Sequence, residues 1–228
     1  MRFIIFAVFC SLAAAGATEY PEALARHVRA GGVDYAGWKA SADDMSALVR
    51  YTDEVATKDV SGLSRDARMA FLINAYNAWM LRQVLEKYPI ASVKDIAPAF
   101  GVFSKNRIMV SGEKMSLNRL EKELLIKEFR EPRVHFAVNC ASRSCPALRA
   151  TLWTPENLNA QFDEAARAYL TTNALGFDEK TGAVSQIFDW YAADFGGADG
   201  VRACIEKHRK LPAKLTFLNY DWSLNSAK

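Results

Sequence analysis

The sequence predicts a helix-rich α+β domain with a small, mainly antiparallel sheet, and three observations carry that reading. First, "RDARMAFLINAYNAWMLRQVLEKY", residues 65–88, is apolar around much of a helical surface, the pattern of a helix buried in a core. Second, "RIMVSGEKMSL" reads as two short β-runs around Ser111-Gly112, a hairpin signal. Third, no internal repeat or low-complexity linker divides the 228 residues. A chain of that length can bury a core without help from disulfides or a metal.

The elements follow in order. The chain opens on "MRFIIFAVFCSLAAAGATEY", with one Arg, an apolar run from Phe3, and Ala15-Gly16-Ala17. This is the layout of a secretory leader cleaved after a small residue, here Ala17. The apolar run is short for a membrane span. Residues 1–17 are expected to leave, taking Cys10 with them. Residues 18–228 then form one exported domain, periplasmic or secreted, with no transmembrane span. Glu22 to Ala30 reads as a helix ended by Gly31-Gly32. Ala42 to Val55 reads as a second, with Met45, Leu48, Val49 and Thr52 at helical spacing. Ser64 is placed to cap the long helix and Pro89 to stop it. After the hairpin, "SLNRLEKELLIKEF" predicts an amphipathic helix capped by Ser116. "RVHFAVNCA", residues 133–141, is the best strand candidate. Pro155 to Leu170 reads as helix, and "LGFDEKTGAVSQIF" as two short strands around Lys-Thr-Gly. Helices are expected around "FDWYAADF" and "DGVRACIEKH", and "KLTFLNYDWSLN" closes the chain as a strand and a docked tail.

Lys and Arg number 29 against 26 Asp and Glu, a net charge of +3. That balance, with no basic cluster interleaved with aromatics, argues against a nucleic-acid partner. Chemistry concentrates instead in "HFAVNCASRSCPAL", residues 135–148, in a chain with only three His and four Cys. Loss of the leader leaves Cys140, Cys145 and Cys204, so in an oxidising compartment at least one is unpaired within the chain.

On a straight strand His135 and Cys140 point to opposite faces. Cys145, followed by Pro146, suits a helix N-terminus, where partial positive charge lowers a thiol pKa. This makes Cys145 the first nucleophile, Cys140 the second and His135 the base. The thiolate attacks a carbonyl, and the imidazolium returns the proton to the leaving group. Asn74, Asn77 and Glu121 are expected to support or orient the pair. The two amides lie three apart on the buried helix and must find partners, whether a histidine, an oxyanion or neighbouring backbone. Three other readings compete. A Cys140–Cys145 disulfide closes a short loop and stabilises little. A redox pair has Cys140 resolve a mixed disulfide at Cys145. A zinc site on His135, Cys140 and Cys145 needs another ligand. No cofactor or metal is assigned. Cys204 reads as a buried, inert thiol, and His27 and His208 as helix-end residues. Arg143 and Arg149 flank the cysteines and either favour an anion or a thiolate or, as is commoner, are exposed arginines with no such task. Asp189, Trp190, Tyr191 and Asp194 form either an aromatic–acidic surface or core with a polar rim.

These stretches, in this order, resemble the family catalogued as domain of unknown function 547, from about Arg68 to Asn225. The carriers are "AFLINAYNAWML", "YPIASVKDI", "MSLNRLE", "RVHFAVNCASRSCPAL", "IFDWYAADF" and "LNYDWSLN". The family usually has Trp where Leu72 stands, often His where Lys122 stands, and usually Lys where Gln186 stands. The resemblance picks out His135, Cys140 and Cys145 and implies no particular activity. The residues themselves point to a cysteine-dependent hydrolase or acyltransferase acting on amide or ester bonds of a small-molecule or peptide-like substrate. The competing class is a non-catalytic binding or assembly domain, with the cysteine loop stapled and recognition carried by aromatics around Trp190 and Trp222.

Overall fold

The computed structural model describes residues 19–171 and 175–227. The expected leader, residues 1–17, lies outside the described residues. The long helix is the axis of the molecule. It spans Arg65–Lys87, and every residue from Leu72 to Leu81 is buried. Ser64 caps it as expected, its Oγ accepting from the Ala67 N–H at 3.3 Å. Before this helix, called α4, come α1 (Tyr20–His27), α2 (Tyr35–Ala40) and α3 (Ala42–Thr57). Helix α3 packs on α4 and on α1. The first helix is shorter than the sequence suggests. Val28–Arg29 (β1) leaves it to pair with Gly32–Val33 (β2). The tail explains this. Val33 donates to the Asn225 carbonyl and accepts from the Ala227 N–H, both at 2.9 Å. A Cβ on Gly32 would lie 2.1 Å from the Asn225 oxygen, so only glycine allows the approach.

The predicted hairpin forms from Ile108–Val110 (β3) and Glu113–Met115 (β4), with Val110 opposite Glu113. Ser111 and Gly112 both have positive φ, +52° and +82°, as a two-residue hairpin turn of the primed type requires. Its tip also docks. The Ser111 and Gly112 N–H groups donate to the Val55 and Ala56 carbonyls, satisfying the free end of α3. The following segment is helical but not wound as expected. Leu117–Arg119 (α6, after the short α5, Gly101–Ser104) runs into a π-helix, Leu120–Lys127.

The expected strand at 133–141 is the main correction. Pro132–Phe136 is a 3₁₀ helix, started by Pro132 and capped by the Glu131 carboxylate, and the rest is irregular. Residues Val134 to Asn139 are buried without alternation. Among the described residues no strand lies beside them, and α4 supplies what a ladder would. Asn77 Nδ2 donates to the Ala137 carbonyl at 3.0 Å, and Asn77 Oδ1 accepts from the Asn139 N–H at 2.8 Å. One turn earlier Asn74 does the same for Trp153, at 2.9 and 3.0 Å. Leu158–Thr171 (α7) matches the predicted helix, with Pro155–Asn157 as a 3₁₀ turn before it. Ile187–Trp190 (α8) and Gly197–Glu206 (α9) follow. The strands expected at 175–188 and 214–225 reduce to isolated bridges, such as Phe177 with Val184, and the tail is a docked segment. Among the described residues no helix is long and apolar enough to cross a membrane.

Replacing Asn74 by Leu leaves a buried N–H and carbonyl of Trp153 without partners. The expected cost is about 3 kcal/mol, or roughly 6–12 °C in Tm. Urea and thermal unfolding measure it, and a loss under about 1 kcal/mol would mean that Trp153 finds other partners.

Candidate active site

The Asn77 clamp delivers His135 and Cys140 to a cavity of about 290 Å³, lined also by Tyr76, Glu121, Cys145, Trp190, Tyr191, Tyr220 and Trp222. Asn139 shapes the loop that follows. Its Nδ2 donates to the Pro146 carbonyl at 2.7 Å, and its Oδ1 accepts from the Ala141 N–H at 3.0 Å. The loop's two ends are thereby tied. The tail holds the middle: Arg143 N–H donates to the Ser223 carbonyl at 2.9 Å, and Asp221 N–H to Ser144 Oγ at 2.8 Å. This same docking brings in Tyr220. Ala141 sits at φ +60°. A left-handed alanine costs about 1–2 kcal/mol, and such strain clusters where geometry serves a site.

The turn at Ala141 folds donors onto the Cys140 sulfur. Ser142 Oγ lies 2.9 Å from it and the Tyr220 hydroxyl 3.4 Å, with the two hydroxyl oxygens 3.2 Å apart. Burial pushes the Cys140 thiol up, but hydrogen bonds from Cys145, Ser142 and Tyr220 outweigh it and bring the pKa down to about 7. Cys145 is the reverse. Its sulfur accepts from the Cys140 N–H at 3.0 Å, and its S–H reaches the Val138 carbonyl at 3.7 Å. Burial, then the neighbouring Cys140, hold its thiol well above the ordinary range.

Two expectations are therefore corrected. Cys145 does not begin a helix. The next helical turn is Pro155–Asn157, so no dipole lowers its pKa. And because residues 133–141 are not a strand, alternation does not send Cys140 away from His135; both line one cavity. Cys140, Cys145 and Cys204 are free thiols.

His135 has a carboxylate at each ring nitrogen. Nε2 lies 2.9 Å from Asp194 Oδ2, and Nδ1 lies 3.9 Å from Glu121 Oε1. The ring stacks on Tyr191, with centroids 4.0 Å apart. Glu121 is buried, and that burial raises its pKa despite His135 and the hydroxyls of Tyr76 and Tyr191, which favour the charge. The cavity mouth is aromatic: Trp222 stacks on Trp190 at 5.9 Å and meets Tyr220 at 4.6 Å.

Four of the six residues singled out from sequence, His135, Cys140, Cys145 and Glu121, line this cavity. Asn74 and Asn77 lie outside it and bind backbone. Sequence reasoning did not pick Ser142, Tyr220 or Asp194 for the site. Asp194 and Tyr191 lay in the flagged "FDWYAADF", and Tyr220 in "NYDWSLN", but pairing across 59 or 80 residues has no local signal. His27 pairs with Asp44 at 2.8 Å, far along the chain from the cysteine loop. Among the described residues no group of three or more His, Cys, Asp and Glu is placed to hold a metal ion.

A family model described as "Protein of unknown function, DUF547" matches residues 60–170. That span takes in α4, Glu121, His135 and both cysteines of the loop, and ends before Asp194 and Tyr220. No curated protein matches the chain, and no solved structure does.

Alkylation by iodoacetamide across a pH series should modify Cys140 with a midpoint near 7 and leave Cys145 protected until unfolding. Hydrogen bonds to a thiolate favour the charged form, so Ser142→Ala and Tyr220→Phe should move that midpoint upward, toward an ordinary thiol at about 8.5. Peptide mass spectrometry reads both. A Cys140 midpoint at the ordinary value in the unaltered protein would show that the donors do not act on it.

Proposed function

The chain belongs to the DUF547 family, and we propose that it is a cysteine-dependent acyl-transfer enzyme, a hydrolase or acyltransferase acting on amide or ester bonds, with Cys140 as nucleophile. One observation carries the reading: a cavity joins a thiol brought down to about 7 with a histidine bracketed by two carboxylates. The nucleophile differs from the one sequence alone favoured, because the Cys140 thiol is lowered, with Ser142 Oγ and the Tyr220 hydroxyl 2.9 and 3.4 Å from its sulfur, while burial raises Cys145.

The chemistry follows from these groups. The Cys140 thiolate attacks the substrate carbonyl carbon, forming a C–S bond and placing negative charge on oxygen. The hydroxyls of Ser142 and Tyr220, which lie within 3.4 Å of the sulfur, are then released from the thiolate charge and available as donors to that oxygen. Collapse expels an amine or alkoxide, which takes its proton from the His135–Glu121 pair. Water or another acceptor then attacks the thioester carbonyl, its proton returning to the His135–Glu121 pair, and collapse breaks the C–S bond and frees Cys140 as the thiolate. With Nε2–H donated to Asp194, His135 presents Nδ1 as the proton carrier, a tautomer assigned from the hydrogen bond. The third group that orients the ring is then Asp194. Export, read from the apolar leader, belongs to the same proposal.

A second reading has its own support. Trp190 is 47 % exposed at the cavity mouth, beside Tyr220 and Trp222. Aromatics so placed suit recognition without catalysis, in a binding domain.

A panel of activated esters, thioesters and anilides, followed by intact mass, separates the two. The expected result is an acyl adduct on Cys140, absent in Cys140→Ala and present in Cys204→Ala. His135→Ala should lower kcat by about 100-fold or more, as loss of a proton carrier does. Asp194→Asn should lower kcat more than it changes KM and should alter the pH profile. Ligand binding that survives Cys140→Ala, with no adduct from any acyl donor, would favour the binding domain.

A further inference from the structure

A second recess of about 640 Å³ adjoins the thiol cavity and shares His135, Trp190 and Tyr191 with it. Its far side carries Lys122, Lys127 and Arg130. Local winding gathers these cations. A π-helix bonds residues five apart, so Lys122 and Lys127 come to one side of Leu120–Lys127, which an α-helix does not do for that spacing. Arg130 follows at φ +52°, a left-handed conformation uncommon for arginine, where the chain turns toward Pro132.

The neighbouring carboxylates already have partners. Glu123 pairs with Arg119 at 3.3 Å, Glu128 with Arg68, and Glu131 with Arg133 at 2.7 Å. Asp194, which lines this recess, holds His135 Nε2 at 2.9 Å. Lys122, Lys127 and Arg130 are ion-paired to no carboxylate among the described residues. Glu131 and Asp194 also line the recess, but their charges are engaged by Arg133 and His135. The three cations are thus in excess on a concave wall, set against one face of the aromatic–histidine partition whose other face meets the thiol, and such a surface concentrates anions.

We propose that this recess is an anion subsite holding a carboxylate or phosphate group of the acyl substrate, with Trp190 and Tyr191 carrying the linking segment between it and Cys140. This rests on the reading of Cys140 as the nucleophile. It names the substrate class: an ester or amide whose acyl part bears an anionic group a short chain away from the carbonyl.

Three thiol-alkylating probes test it: N-iodoacetyl-6-aminohexanoate, the same chain ending in a phosphonate, and its neutral primary amide. At low salt the two anionic probes, or one of them, should label Cys140 about tenfold faster than the amide. The faster of the two identifies the group. The acid-to-amide rate ratio should fall toward one in Lys122→Gln/Lys127→Gln/Arg130→Gln, and with added salt. Labelling of Cys140 at equal rates by acid and amide overturns the subsite while leaving the nucleophile intact. If Cys140 labels with none of the probes, the thiol reading fails instead. The subsite is then decided in Cys140→Ser by NMR titration with N-acetyl-6-aminohexanoate and its amide. Shifts at residues 122, 127 and 130 with the acid alone support it, and no difference between the two overturns it.

Discussion

Two side-chain amides in the buried stretch of α4 have to find hydrogen-bond partners away from water, and the rest of the structure is arranged around how they do so. A buried unpaired amide is costly. Asn77 and Asn74 meet the requirement by acting as short pieces of strand, each taking one N–H and one carbonyl from irregular chain. The segment bearing His135 and Cys140 thus needs no sheet of its own. It is held against the core helix at Ala137 and Asn139 and is free to curl on either side of that grip. On one side it winds into the 3₁₀ turn that aims His135; on the other it makes the turn at Ala141 that wraps Cys140 in donors.

The two loop cysteines show how environment divides equivalent chemistry. They are five residues apart and touch, yet one thiol is pulled down and the other pushed up. Proximity itself enforces part of the split, since two adjacent thiolates in a buried place repel and only one ionises readily. Hydrogen bonds from Cys145, Ser142 and Tyr220 favour the charge on Cys140, while burial and Cys140 itself hold Cys145 up. Cys145 then serves as a neutral neighbour whose sulfur receives the Cys140 backbone N–H.

Much of the framework was legible in sequence because its signals are local. Ser64 as cap, the Ser111-Gly112 turn and the helical periodicity of residues 42–57 each rest on a few adjacent residues. Residues 133–141 misled because two valines and a run of small or apolar side chains suit any buried extended chain. What decides against a strand is the absence of a strand beside it among the described residues and the presence of Asn77, 60 residues away. The π-winding of Leu120–Lys127 changes which residues share a face without changing the composition that marks a helix. In the site, His135, Cys140, Cys145 and Glu121 were visible as residue types that carry chemistry. Tyr220 and Asp194 were not, because their roles come from where the tail and the segment after α8 dock.

The tail from Tyr220 to Asn225 is pinned between β2 and the cysteine loop, and it places a hydroxyl 3.4 Å from the Cys140 sulfur. Undocking the tail withdraws that hydroxyl. Whatever loosens the tail from Val33 is thereby felt at the thiol, and β2 acts on the cavity without touching it.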